Sequence, residues 1–491
     1  MSNDEKKYER RAFIRLAALT GVGFYLNACN SVIQKNNKKN NDTTTLPKIE
    51  KDKNPSTHNV TFYKKEDPQY EKLRKVYNKR IQKYPAVIAV CKNIQGIVEA
   101  MQYAKQNNLP IAIKSGGHCF EGFSSNNDGL IINLSLLKKV EWINDETIKV
   151  QPACTLSNLY DALLPKQKII PAGSCGSVGV GGLTLGGGYG FFSRKYGLTC
   201  DSLVEVTMVD GEGKIHNSKN DPELLWACKG GGNGNFGVVA EMIFKTQPAP
   251  KNFQSHRFKA YNLNTERATN ILQQWFQLTS NLPTSCFSAF VLNGKTLNIL
   301  ITDYENHTAE IQNIQKALSP LMDKTSIGEP KNLALALRNY YGAQDPPYFK
   351  NASAGLYKSF EDIKDCIHQA LDIVTTTPGM IYQINTLGGN IQNDAFKATA
   401  AYPHRDYLFI SELQTYWENT KQAERLIENF KTVQNIFSAN GITTQYANYP
   451  SLDFKNWETA YYGENYSRLQ KVKNKYDADN LIRHEQSVKN S

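Results

Sequence analysis

The rhythm of apolar positions changes near Phe253, where glycines also thin out, and that change divides the chain in two. Before it, Ala86–Val90 is a short apolar run of strand length, and Ile94, Ile97, Val98 and Met101 then recur at helical spacing up to Asn108. Ile111–Lys114 reads as a second strand, so a strand–helix–strand unit ends directly on the loop Ser115–His118. Leu130–Asn133, Val140–Ile143 and Thr147–Gln151 read as further strands and Thr155–Leu164 as a helix. Leu203–Val209 and Lys214–His216 flank Asp210-Gly211 and predict a hairpin.

Beyond Phe253 the pattern predicts a helix over 264–280, strands near 285–292 and 295–304, and helices near 307–319 and 360–376. Strands near 380–387 and 406–416 and a helix over 419–439 complete the block. Strands and helices in this order suggest an α+β unit with a mainly antiparallel sheet. At 491 residues the chain exceeds one core and calls for two domains of ordinary size. The expected division is 80–251 for the first and 252–445 for the second, with 446–491 returning to the first.

The first 59 residues read differently. Glu9-Arg10-Arg11-Ala12-Phe13-Ile14-Arg15 resembles a twin-arginine signal and precedes a modest apolar stretch, Leu16 to Ala28. Leu26-Asn27-Ala28-Cys29 resembles a lipobox, with Cys29 as the lipidated residue. Residues 30–59 are rich in Asn, Lys and Thr, which cannot bury enough surface to fold, and are expected to be a tether. The expectation is export to the periplasm or cell envelope, with membrane contact through the lipid alone. No run after residue 30 could span a bilayer. The net charge of +11 comes from scattered lysines, without the basic helix or aromatic ladder that reads nucleic acid.

Candidate chemistry sits in two glycine loops. His118 ends Lys114-Ser115-Gly116-Gly117-His118, and Cys175 stands in Ala172-Gly173-Ser174-Cys175-Gly176-Ser177-Val178-Gly179-Val180-Gly181-Gly182. Missing Cβ atoms let a bulky charged ligand approach the backbone, and successive amides make a nest for pyrophosphate. An imidazole and a thiol offered to one site invite a covalent attachment or a metal. Taken singly, such a His is usually a hydrogen-bonding residue and such a Cys a buried inert thiol. No further Cys/His cluster in the sequence supplies zinc ligands, so no metal is expected. Gly179-Val180-Gly181-Gly182-Leu183-Thr184 lacks the third glycine of a dinucleotide fingerprint, which argues against a nicotinamide cofactor. Seven of the nine cysteines remain after Cys29 and Cys175, with no CxxC spacing; mostly buried thiols are expected, with one disulfide left open.

Other blocks follow in order: Gly186-Gly187-Gly188-Tyr189-Gly190, Arg194-Lys195-Tyr196-Gly197-Leu198 and Gly230-Gly231-Gly232-Asn233-Gly234-Asn235-Phe236-Gly237-Val238-Val239. Near the end come Ala460–Leu469, Lys473-x-Lys475-Tyr476-Asp477 and Glu485-Gln486-Ser487. From about residue 80 onward the chain resembles the berberine-bridge-enzyme-like branch of the FAD-linked oxidases. The resemblance implies a PCMH-type (vanillyl-alcohol-oxidase-like) two-lobed FAD-binding domain under an α+β substrate cap. It implies FAD bonded to both His118 and Cys175, with Ser115, Gly116, Gly117, Val178, Gly181, Gly182, Gly187, Tyr189, Gly190 and Val239 at the cofactor. Tyr449, in Tyr446-Ala447-Asn448-Tyr449-Pro450, is the implied base; as a phenol it needs a cation or hydrogen-bond donor to stabilise its anion. Asn385 occupies the place of an aspartate that precedes Gly388-Gly389 in sugar-oxidising relatives, and can help Tyr449 by hydrogen bonding alone. Glu412 shares one predicted strand face with Leu408, Ile410 and Gln414, either lining the pocket as a catalytic group or sitting at the rim. Val178 matches a position where valine accompanies fast reaction with oxygen. The implied activity is oxidation of an alcohol, with saccharides as the leading substrate class and O2 as acceptor. A dehydrogenase using a quinone or protein acceptor, a secondary-metabolite oxidase and an inactive binding lipoprotein stay open as alternatives.

Overall fold

A computed structural model describes residues 59–342 and 345–491. The twin-arginine stretch, Cys29 and the tether up to His58 lie outside the described residues. Three sheets organise the rest. The first runs in the order Val60–Tyr63, Val87–Cys91, Leu130–Asn133, Ile111–Lys114, antiparallel at the first pair and parallel thereafter. Helix Ile94–Gln106 makes the crossover; the Asn93 side chain caps it by accepting from the Gly96 amide, and Ile97, Ala100, Met101 and Ala104 are its buried face. The free edge of Ile111–Lys114 is completed from the far end of the chain. The Ile111 amide donates to the Leu481 carbonyl, the Arg483 amide donates to the Ile111 carbonyl, and Ile111 bridges Ile482 in parallel.

The second sheet is antiparallel, in the order Val140–Trp142, Thr147–Val150, Val238–Lys245, Leu203–Val209, Ile215–Asn217. The third is the largest. Its main path is Lys324–Ser326, Asn252–Ala260, Thr296–Asp303, Cys286–Asn293, Met380–Thr386, Phe409–Trp417, Tyr348–Tyr357, all antiparallel. Alternate residues of these strands enter different cores. Phe290, Ile299, Tyr382, Ile384, Phe409 and Leu413 pack under helices Thr265–Thr279, Lys364–Thr376 and Thr420–Ala439. Phe287, Val291, Leu300, Ile381, Ile410 and Tyr416 turn the other way and join the core that contains Tyr189 and Tyr449. This is an α+β fold, as the sequence pattern predicts.

Tyr348–Tyr357 escapes the hydrophobic pattern because it is buried along nearly its whole length yet carries Lys350, Asn351 and Ser353. Its bulge between Ser353 and Gly355 further breaks the alternation. Leu408, placed by simple alternation with Glu412, precedes the strand and packs against the helix-side core instead. The eight described cysteines are all free thiols. No helix among the described residues is long and apolar enough to cross a membrane.

Buried charges join the cap to the rest. Arg194 donates from Nε to the Cys286 carbonyl (2.9 Å) and from a terminal nitrogen to the Leu282 carbonyl (2.6 Å). Arg405 forms a two-point pair with Asp201 at 3.0 and 2.7 Å, with both side chains inaccessible to solvent.

Candidate active site

The two glycine loops meet backbone to backbone. A Cβ on Gly116 would lie 2.5 Å from the Gly179 nitrogen, and one on Gly179 would lie 2.7 Å from the Gly116 nitrogen. The second loop is fixed by amide donation from Leu156 to the Val178 carbonyl, from Val180 to the Cys154 carbonyl and from Gly181 to the Pro152 carbonyl. Ser115 Oγ donates to the same Pro152 carbonyl, at 2.5 Å. The contact brings His118 and Cys175 to one cleft of about 1390 Å³, counted with its open mouth.

His118 is half-buried and stacks on Tyr77, with ring centroids 3.8 Å apart at 20°. Desolvation pushes its pKa down to about 4, against a smaller opposing hydrogen bond with the Ser177 backbone, so the imidazole is neutral at pH 7. Cys175 is buried, and desolvation raises its pKa; Ser177 Oγ lies 3.7 Å from Sγ and pulls the other way.

Opposite these loops stands a cluster of phenols. The Tyr449 and Tyr189 hydroxyls are 2.8 Å apart, and Asn385 Nδ2 donates to the Tyr189 oxygen at 2.9 Å. Phe120 stacks on Tyr449 at 5.3 Å and 12°. Burial raises the pKa of Tyr449 well above 10, and the neighbouring Tyr189 and Glu412 add to the shift. Glu412 is fully buried, which excludes the rim position; Asn351 Nδ2 donates to its Oε1 at 3.2 Å.

Of the residues singled out from the sequence, Ser115, Gly116, Gly117, His118, Cys175, Val178, Gly181, Gly182, Tyr189, Val239 and Tyr449 line the cleft. Asn385 and Glu412 stand behind the phenols rather than on the wall. Gly187 and Gly190, expected at the cofactor, are off the wall for a packing reason. A Cβ on Gly187 would lie 3.0 Å from the Tyr402 ring, and one on Gly190 2.0 Å from the Ala172 carbonyl oxygen. The sequence reading missed Tyr77, Phe120 and Asn448. Asn448 Nδ2 donates to the Leu183 carbonyl (3.0 Å) and to the Tyr446 hydroxyl (3.0 Å), tying the tyrosine segment to the glycine loop. Its signal was its place inside the Tyr446–Pro450 motif.

An adenine dinucleotide with a flavin ring fits this cleft. No Lys, Arg, Asp or Glu is among its described lining residues, which leaves the loop amides to meet a pyrophosphate. The hydroxyls of Ser124 and Ser174, both buried in the lining, have no hydrogen-bond partner among the described residues. Here FAD would be held between the His118 and Cys175 loops on one side and the Tyr446–Pro450 segment on the other.

Fold and cleft together define an FAD-linked oxidoreductase. The family model described as "FAD binding domain" matches residues 85–219, and "Berberine and berberine like" matches 445–489. The chain is 31% identical over 439 residues to the FAD-linked oxidoreductase YgaK of Bacillus subtilis, covering 86% of this chain and 95% of that protein. It is 29% identical to the chitooligosaccharide oxidase of Gibberella zeae, covering 84% and 89%. The crystal structure of aclacinomycin oxidoreductase superposes with a TM-score of 0.80 at 25% identity, covering 88% of this chain and all of that one (100%). The protein belongs to the berberine-bridge-enzyme-like family of FAD-linked oxidoreductases.

Proposed function

We propose that the protein is an exported oxidase whose FAD is bonded to both His118 and Cys175, and that it oxidises a hydroxyl of a saccharide. The observation that carries the reading is the contact of Gly116 with Gly179, which sets a neutral imidazole and a thiol on one cleft wall. When bound, the flavin would accept the hydride of the substrate carbon and pass its electrons to O2, giving H2O2. Tyr449 takes the hydroxyl proton at its phenol oxygen. Tyr449 acts as its phenolate, whose charge Tyr189, 2.8 Å away, stabilises by donating to that oxygen before the proton is taken, and Asn385 holds Tyr189 in place from behind. Val178, half-buried in the wall, stands where the family resemblance associates valine with fast reaction with oxygen. The saccharide class is supported by similarity to the chitooligosaccharide oxidase. Residues 1–29 would direct export by the twin-arginine route, with Cys29 carrying the lipid.

The test is the colour of acid-precipitated protein from wild type, His118→Ala, Cys175→Ala and the double variant. Yellow pellets from wild type and from each single variant, with a colourless double variant, are the expected result. A colourless pellet from folded wild type would overturn the double attachment. Oxygen uptake on an oligosaccharide panel then tests acceptor and substrate together.

A further inference from the structure

Away from the cleft, beside Arg194, the cap sheet gathers three different metal-binding side chains. Cys286 opens one strand, Asp303 closes its neighbour, and the two residues are directly paired in register. His307, just before helix Thr308–Leu318, turns back over them. Its Nδ1 lies 3.0 Å from Asp303 Oδ1 and 3.8 Å from Cys286 Sγ, and the three ligand atoms all fall within 4.8 Å of one another. Metal–ligand bonds of about 2.0–2.3 Å place the corners of a tetrahedron about 3.3–3.8 Å apart. The two His307 spacings, 3.0 and 3.8 Å, lie within tenths of an ångström of that range, and the Cys286–Asp303 pair lies within 4.8 Å. Ser285 Oγ, 3.4 Å from both ring nitrogens, adds an oxygen at the same corner.

Two further observations point to a cation. Asp303 is fully buried; its carboxylate accepts from the Glu305 and His307 amides at 2.9 and 2.6 Å, and the His307 ring is its only ion-pair partner among the described residues. His256, on the adjoining strand, pairs with Ile301 two residues before Asp303, so it shares the Asp303 face. His256 is 2% exposed, yet neither ring nitrogen has a hydrogen-bond partner among the described residues. A hydrated cation at this corner would balance the buried carboxylate charge and give the bare His256 ring a partner. The His307 ring, 24% exposed, leaves an entry path.

We propose that Cys286, Asp303 and His307 bind one zinc-class divalent cation, which clips two cap strands to the first turn of the following helix. Thiolate, imidazole and carboxylate together suit Zn²⁺ rather than Mg²⁺ or Ca²⁺. The Cys286 thiol loses its proton to solvent as the sulfur–metal bond forms, and no electrons are transferred. The clip lies next to Arg194, whose guanidinium holds the Cys286 carbonyl, so it also stiffens the junction between cap and FAD lobes. The sequence hides the site because positions 286, 303 and 307 meet only through strand pairing.

The test uses the flavin-loaded protein, with Zn²⁺ counted after desalting and Co²⁺ as a spectroscopic substitute. Wild type is expected to retain one equivalent, and its Co²⁺ form to show thiolate charge transfer and visible bands to the red of the flavin. Cys286→Ser should lose the charge-transfer band, and His307→Ala should weaken binding by more than about tenfold. Flavin absorbance reports folding in every variant, and His307→Ala, on the more exposed side, tests the site should Cys286→Ser misfold. Folded wild type that retains no metal, or a Co²⁺ spectrum unchanged in both variants, would overturn the proposal.

Discussion

The two faces of the cap sheet are built from neighbouring residues and do different work. On strand Phe409–Trp417, Phe409 and Leu413 face the helices, while Ile410, Glu412, Gln414 and Tyr416 face the phenols. The helix side is an apolar core in which Trp275, Phe276, Phe430 and Leu371 interdigitate. The other side buries amides and a carboxylate. Gln414 donates to Gln383 (3.1 Å), Gln383 donates to Asn385 (3.1 Å), Asn385 donates to Tyr189, and Tyr189 meets Tyr449. Burying such groups is unfavourable unless each is satisfied, and apolar residues would hold the strands together as well. The comparison teaches that the sheet is stabilised on one side and, from the other, orients the Tyr189–Tyr449 pair that the proposed mechanism uses.

Substitutions on the two sides should therefore separate activity from stability. The largest effect is expected from Tyr449→Phe, which should lower kcat/KM by about 10²–10⁴-fold with little change in Tm. Its pH profile sharpens the point. With Tyr449 as the proposed base, the active form is its deprotonated phenol, whose pKa is raised above 10, so wild-type kcat/KM should climb through the alkaline range without a plateau. Steady-state rates in Tyr449→Phe should lose that climb; a climb that survives would remove Tyr449 from the proton step. Trp275→Ala, on the apolar side, should cost about 3–5 kcal/mol by denaturant titration while folded enzyme keeps its kcat. Asn385→Leu should have the smallest effect, about 1–3 kcal/mol in transition-state stabilisation, because Tyr189 loses its donor. An Asn385→Leu enzyme with unchanged kinetics and lowered stability would make the polar chain a packing device.

Much of the apolar side was legible in the sequence. Ile271, Leu272, Trp275 and Phe276 repeat at helical spacing, and the helix predicted over 264–280 is observed as Thr265–Thr279. The cleft loops were legible for another reason, since glycines that let two backbones touch leave their mark in composition. The polar face was not. Lys350, Asn351 and Ser353 interrupt a buried strand, and their reason for being inside lies in partners from another strand and from distant loops, which periodicity cannot see. The bridging position of Tyr189 was hidden likewise: its motif marked the segment, but only the fold sets its hydroxyl between Asn385 and Tyr449.

Strand Ile111–Lys114 acquires its last backbone hydrogen bonds from residues 481–483. The strand that leads into the His118 loop is therefore fully framed only once residues 481–483, some 370 positions further on, have been made. Closing so long a loop is slow, because its entropy is lost before the contact returns any stability. Firm cofactor binding should then wait on those residues, and a protein shortened after Asn480 should collapse around its sheets yet fail to hold the dinucleotide firmly.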